Sequence, residues 1–161
     1  MATLRAEEAP DQETWSPILV ISEDGRPLIH LAASYMARYD RPDSSYMVLT
    51  GEDGSSERVR VDLFGADGDS SAVVYSDMLT YYDRERRFVA RGDVIVITQD
   101  DKRLESEHLA WTEIDRKVRT PGFVRIISPN RDVSGYGLVA AEDLSSFQLT
   151  RVTGTIIPDE G

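Results

Sequence analysis

Ser76-Asp77-Met78-Leu79-Thr80-Tyr81 returns thirty positions later as Ser106-Glu107-His108-Leu109-Ala110-Trp111, and the register holds beyond both hexapeptides. Asp83 stands over Glu113, Glu85 over Asp115, Arg86 over Arg116, Arg87 over Lys117, Phe88 over Val118, Gly92 over Gly122, Val94 over Val124, Val96 over Ile126 and Ile97 over Ile127. Each copy is a small residue and an acid, a short apolar alternation, a charged turn, a second alternation, a Gly, and a run rich in Val and Ile. Apolar residues at period two on both sides of a polar tip predict two antiparallel strands and a turn. A fixed offset across chemically equivalent positions marks a repeat architecture.

The repeat extends outward in weaker form. Ser34-Tyr35-Met36-Ala37-Arg38-Tyr39 resembles the first hexapeptide at an offset of forty-two, so strand is preferred to helix over Leu31 to Tyr39. Upstream, Ile18-Leu19-Val20-Ile21, Glu23-Asp24-Gly25 and Pro27-Leu28-Ile29-His30-Leu31 read as a hairpin. Tyr46 to Thr50 and Val59 to Leu63 are expected strands, with turns at Gly51 to Ser56 and Ala66 to Asp69. Downstream, Val133 to Ala140 and Phe147 to Ile157 are expected closing strands. The matched glycines Gly92, Gly122 and Gly154 suggest bulges where strands coil. Residues 1–16, acidic and carrying Pro10, read as a mobile tail or linker, and 17–158 as one β domain.

Composition narrows the function. The 161 residues, 40% of them hydrophobic, suffice for one domain with a sizeable core. A net charge of −11 argues against a nucleic-acid partner, and the absence of Cys excludes disulfides and thiolate metal sites. His30 and His108 fall in different strands with no second His at ligand spacing. Glu105 with Glu107, or Asp77 with Asp83, has the residue types of an acid–base pair for glycoside hydrolysis, but these acids sit in turns and at strand starts, where solvated charge is expected. Asp83-Arg84-Glu85-Arg86-Arg87 and its copy read as soluble turns. No phosphate or dinucleotide loop is present. The expectation is a protein that is not an enzyme and needs no cofactor.

Alternation assigns an inner face. Leu79 and Tyr81 match Leu109 and Trp111, and Phe88, Val94 and Val96 match Val118, Val124 and Ile126. Val89 and Ile95 are matched by Arg119 and Arg125, so those two positions are expected to face outward. Val59, Val61 and Leu63 join the inner row from the earlier strand. On residue types this row is a packed core. The alternative is a partly unfilled trough for a long apolar ligand.

The stretches Ser-Asp-Met-Leu-Thr-Tyr-Tyr-Asp (76–83), Ala-Arg-Gly-Asp-Val-Ile-Val (90–96), Leu-Glu-Ser-Glu-His-Leu-Ala-Trp (104–111), Arg-Thr-Pro-Gly-Phe-Val-Arg-Ile (119–126) and Ser-Gly-Tyr-Gly-Leu-Val-Ala-Ala (134–141) resemble, in order and spacing, the periplasmic lipopolysaccharide-export family of LptC and its OstA-like relatives. The resemblance covers Ile18 to Ile157. It implies an all-β, antiparallel β-jelly-roll, open at its ends, that takes lipopolysaccharide from an inner-membrane ABC transporter complex. The lipid would pass to an LptA-like periplasmic jelly-roll, with acyl chains in a groove lined by the inner row. It also implies an inner-membrane anchor in the full-length form, a segment residues 1–16 do not contain. Neighbours in that family join by strand addition. Gly137-Leu138-Val139-Ala140-Ala141, five residues without charge or proline, are the expected docking edge. The competing reading is a β-rich interaction or carbohydrate-binding protein with a filled core.

Overall fold

A computed structural model describes residues 9–51, 58–65 and 67–156. Parts of the expected tail, of the turns at Gly51 to Ser56 and Ala66 to Asp69, and Ile157 lie outside the described residues. Among the described residues all regular structure is β: β1 (Gln12–Trp15), β2 (Ile18–Glu23), β3 (Arg26–Ala32), β4 (Tyr35–Asp40), β5 (Ser45–Thr50), β6 (Val59–Phe64), β7 (Ser70–Ser76), β8 (Met78–Tyr82), β9 (Arg87–Thr98), β10 (Arg103–Thr112), β11 (Lys117–Ser128), β12 (Arg131–Ala141) and β13 (Phe147–Ile156). They form one antiparallel sheet of 13 strands that does not close into a barrel.

The sheet forks at β9. Residues Arg87 to Arg91 pair with β8, whereas Ile95 to Thr98 pair with β7. From there β8 continues through β5 and β4 to β1, and β7 continues through β6 and β3 to β2. Each of β1/β2, β3/β4 and β7/β8 therefore acts as one long strand bent in the middle, and β5 and β6 take the corresponding places in the two branches. The chain is a simple meander of such bent rungs, followed by β9 to β13. Its two half-sheets face one another, because side chains from both branches share one buried cluster that includes Leu49, Val61, Val74, Phe88 and Trp111.

The bend has a local cause. Register shifts fall between Ser106 and His108, Thr120 and Phe123, and Ser134 and Gly135, a row of bulges crossing adjacent rungs. Bulges add a residue to one strand and sharpen its twist. The repeated serine serves this crease: Ser76 Oγ donates to Met78 O at 3.0 Å across the break between β7 and β8, and Ser106 Oγ to His108 O at 2.9 Å across the bulge of β10. Gly92 sits in the crease at φ +86, and a Cβ there would lie 2.7 Å from Asp77 Oδ2. Gly92→Ala is expected to cost about 1–3 kcal/mol, read as a lower thermal midpoint without loss of β-type circular dichroism.

The turns obey the same repeat. Arg86 and Arg116 both adopt positive φ, at 49 and 53. Arg86 O accepts from Glu113 N at 3.0 Å, and Arg116 O accepts from Glu142 N at 3.2 Å. Asp24 and Gly25, both at positive φ, make the tight hairpin turn between β2 and β3.

Three expectations change. Gln12–Trp15, placed in the mobile tail, pairs with β4 because the next turn of the chain offers an open edge at Tyr35 to Arg38. Val89, expected outside because its copy is Arg119, is 4% exposed. It does lie on the outer face, but Thr80 and Ala110 flank it across the sheet and the long side chains of Arg87 and Arg91 flank it along the strand. Finally, Gly137, Leu138, Val139, Ala140 and Ala141 are not an edge. Val139 is paired with Arg119 on one side and Gln148 on the other, because β13 adds one further strand.

Candidate ligand interior and docking edges

The inner row assembles as one surface. Val59, Val61, Leu63, Leu79, Tyr81, Phe88, Val94, Val96, Leu109, Trp111, Val118, Val124 and Ile126 all point between the half-sheets, with exposures of 0% to 7%. Phe88 and Trp111 stack at 5.3 Å between ring centroids, face to face across neighbouring rungs. Burial pushes the Tyr81 phenol up, with the carboxylates of Glu113 and Asp83 adding to the effect. The interior is occupied by side chains.

Both ends of the interior are less completely covered. Leu19 and Ile21 of β2 and Phe147 and Leu149 of β13 pack against the core while remaining partly exposed. A meander that does not close leaves its first and last rungs without an outer neighbour, so their inward residues meet solvent at the ends of the stack.

Opposite the crease, the half-sheets meet at a mouth that sequence reasoning did not anticipate. Glu142, 7% exposed, accepts from Trp111 Nε1 at 2.9 Å through Oε2 and from Arg116 Nε at 2.7 Å through Oε1. The same Arg116 donates to the backbone carbonyl of Phe64 on the facing half-sheet. Lys102 Nζ reaches Leu144 O at 3.3 Å from the β9–β10 turn, and Leu144 is itself buried. One guanidinium and one ammonium thus hold the loop between β12 and β13 across the apolar interior. The signal was in the repeat: Arg116 copies Arg86, which reaches Glu113 at 3.3 Å, and Glu142 follows Glu113 by twenty-nine positions.

The free edges are the outermost rungs. Among the described residues, β1 and β2 pair on one side only, with β4 and β3, and β13 pairs only with β12. Exposed apolar side chains mark both: Trp15, Ile18 and Val20 at the first edge, Val152 and Ile156 at the last. Unpaired N–H and C=O groups beside apolar side chains form a template for strand addition.

His108 Nδ1 lies 3.0 Å from Thr120 Oγ1, and burial, with the Arg91 charge, lowers its pKa. Among the described residues no cluster of three His, Asp or Glu side chains is arranged to hold a metal ion. Glu105 is paired with Arg103 at 3.1 Å on the surface. Asp115 accepts from Arg119 and from Thr112 Oγ1, which hold its carboxyl well below the usual range, and Arg125 does the same for Asp132. A depressed folded-state pKa contributes stability that is present above the unfolded value near pH 4 and is lost as pH falls through the folded one. The urea midpoint is therefore expected to drop progressively as pH falls from about 5 to well below 3, and Asp115→Asn to reduce that drop.

The fold and the interior define a class: an open, two-layered antiparallel meander with a continuous apolar interior and two free edges. No protein-family model matches the chain, and no curated protein matches it.

Proposed function

We propose that this chain is a non-enzymatic carrier of lipopolysaccharide in the periplasm, an open-ended β-jelly-roll of the LptC and OstA-like kind. One observation carries the reading. The apolar interior runs the length of an unclosed meander and comes to the surface at both terminal rungs, where the sheet edges are also free. A stack of such units joined edge to edge has one uninterrupted greasy passage. The partners on this reading are an inner-membrane ABC transporter complex at one edge and an LptA-like jelly-roll at the other, with β13 rather than β12 as the C-terminal docking strand.

The filled interior favours a second reading, an interaction or carbohydrate-binding protein whose core never opens. On the carrier reading acyl chains enter only when the half-sheets part at the mouth held by Arg116, Glu142 and Lys102. A photo-reactive benzoylphenylalanine at Phe88 is then expected to crosslink to lipopolysaccharide, and one at Arg86 or Lys117 is not. Glu142→Gln, which weakens the mouth, is expected to raise the yield at Phe88. No labelling at Phe88 in either background, or equal labelling at the outward positions, leaves the filled-core reading.

A further inference from the structure

The two copies of the repeat treat their creases differently. In the first copy the Arg58 guanidinium lies over the crease and donates to Asp77 Oδ1 at 3.1 Å, Gly92 O at 2.9 Å and Asp93 O at 2.6 Å. Moving one copy along, Asp77 becomes Glu107, Gly92 becomes Gly122 and Asp93 becomes Phe123. The position of Arg58 is also fixed by register, since Val59 pairs with Ser76 as Val94 pairs with Ser106. Its equivalent is therefore Asp93.

An acid thus stands where the first copy has its cation, and the second crease holds a pocket of about 390 Å³ lined by Asp93, Glu105, Glu107, His108, Phe123 and Arg125. The charges in it are unevenly matched. Arg125 is engaged by Asp132 at 2.6 Å, and Glu105 by Arg103 at 3.1 Å. Asp93 lies 3.8 Å from Arg58, at the margin of an ion pair. Glu107 accepts from the Asp93 amide at 3.3 Å and makes no ion pair among the described residues. Phe123, 48% exposed, gives the pocket an aromatic wall.

We propose that this pocket receives an arginine side chain from a partner protein, supplying in trans the guanidinium that Arg58 supplies to the first copy. A planar fork suits the site better than an ammonium, because it can take the Glu107 carboxylate and lie against the Phe123 ring together, while the Phe123 carbonyl already accepts from Ser106 Oγ at 3.0 Å. The inference is independent of the carrier reading, since it concerns the outer side of the crease and not the interior.

The test is an amide chemical-shift titration of the whole protein with the blocked tripeptide Gly-Arg-Gly, beside its citrulline and lysine analogues. Shifts are expected to be confined to the crease around Ser106, Glu107, Gly122 and Phe123. The citrulline peptide, equal in shape but uncharged, is expected to leave them unmoved, and the lysine peptide to bind more weakly. Glu107→Gln, a change at an exposed residue, is expected to weaken binding about fivefold, the scale of one exposed ion pair. Shifts spread over acidic residues elsewhere would show attraction to the net charge alone. That outcome overturns the proposal, as does indifference to Glu107→Gln or an equal response to citrulline. Equal binding of the lysine peptide overturns the guanidinium assignment.

Discussion

Val139→Pro is expected to unfold the protein rather than uncouple it from a partner. Proline removes one backbone donor and its ladder hydrogen bond, and in sheets it is tolerated only at edge strands and bulges. Val139 has a paired strand on each side, at Arg119 and Gln148, so neither side offers solvent to absorb the damage. Domains of this size are stable by only about 5–15 kcal/mol, so a single such loss is large. The check is far-ultraviolet circular dichroism with a urea titration. A folded variant with an unchanged midpoint would place β12 at an edge. The contrasting substitution is Val152→Pro in β13, where one side of the strand is free and the fold is expected to survive.

Trp111→Ala is expected to be the most damaging truncation in the interior. The side chain is fully buried, stacks on Phe88 and donates to Glu142, so its removal leaves a cavity, a lost ring contact and an orphaned carboxylate oxygen. Aromatic-to-alanine changes in cores cost about 3–5 kcal/mol. Trp111→Phe keeps most of the volume and is expected to cost about 1–3 kcal/mol, chiefly the unsatisfied Glu142. Equilibrium unfolding in urea separates the two. If Trp111→Ala proves nearly neutral, the interior is loosely filled and can accommodate a guest without opening its mouth.

These substitutions also show where the amino-acid sequence was sufficient. The thirty-residue repeat specified hairpins, their order and their inward row, because period-two burial leaves a direct mark on residue type. At Phe88, Val94 and Val96 each inward side chain has an apolar copy in the second unit, and all six positions are buried. The serine of each copy, legible only as a small residue, proved to span the point where its rung bends.

What the sequence left open depends on partners far apart in the chain. Val89 lies on the expected outer face yet is buried, because its exposure is set by neighbours on β8 and β10, and its Arg119 copy reported on a different surrounding. Gly137 to Ala141 looked like an unprotected edge because nothing within those five residues records that β13 lies beside them. The mouth is the clearest case. Phe64, Lys102, Arg116, Glu142 and Leu144 come from separate turns and strand ends, and only the bend at the crease brings them together. Local alternation determined which side chains are apolar and inward. The crease, a tertiary consequence of aligned bulges, decided that two halves of one sheet face each other, close over a common core and leave the first and last rungs free.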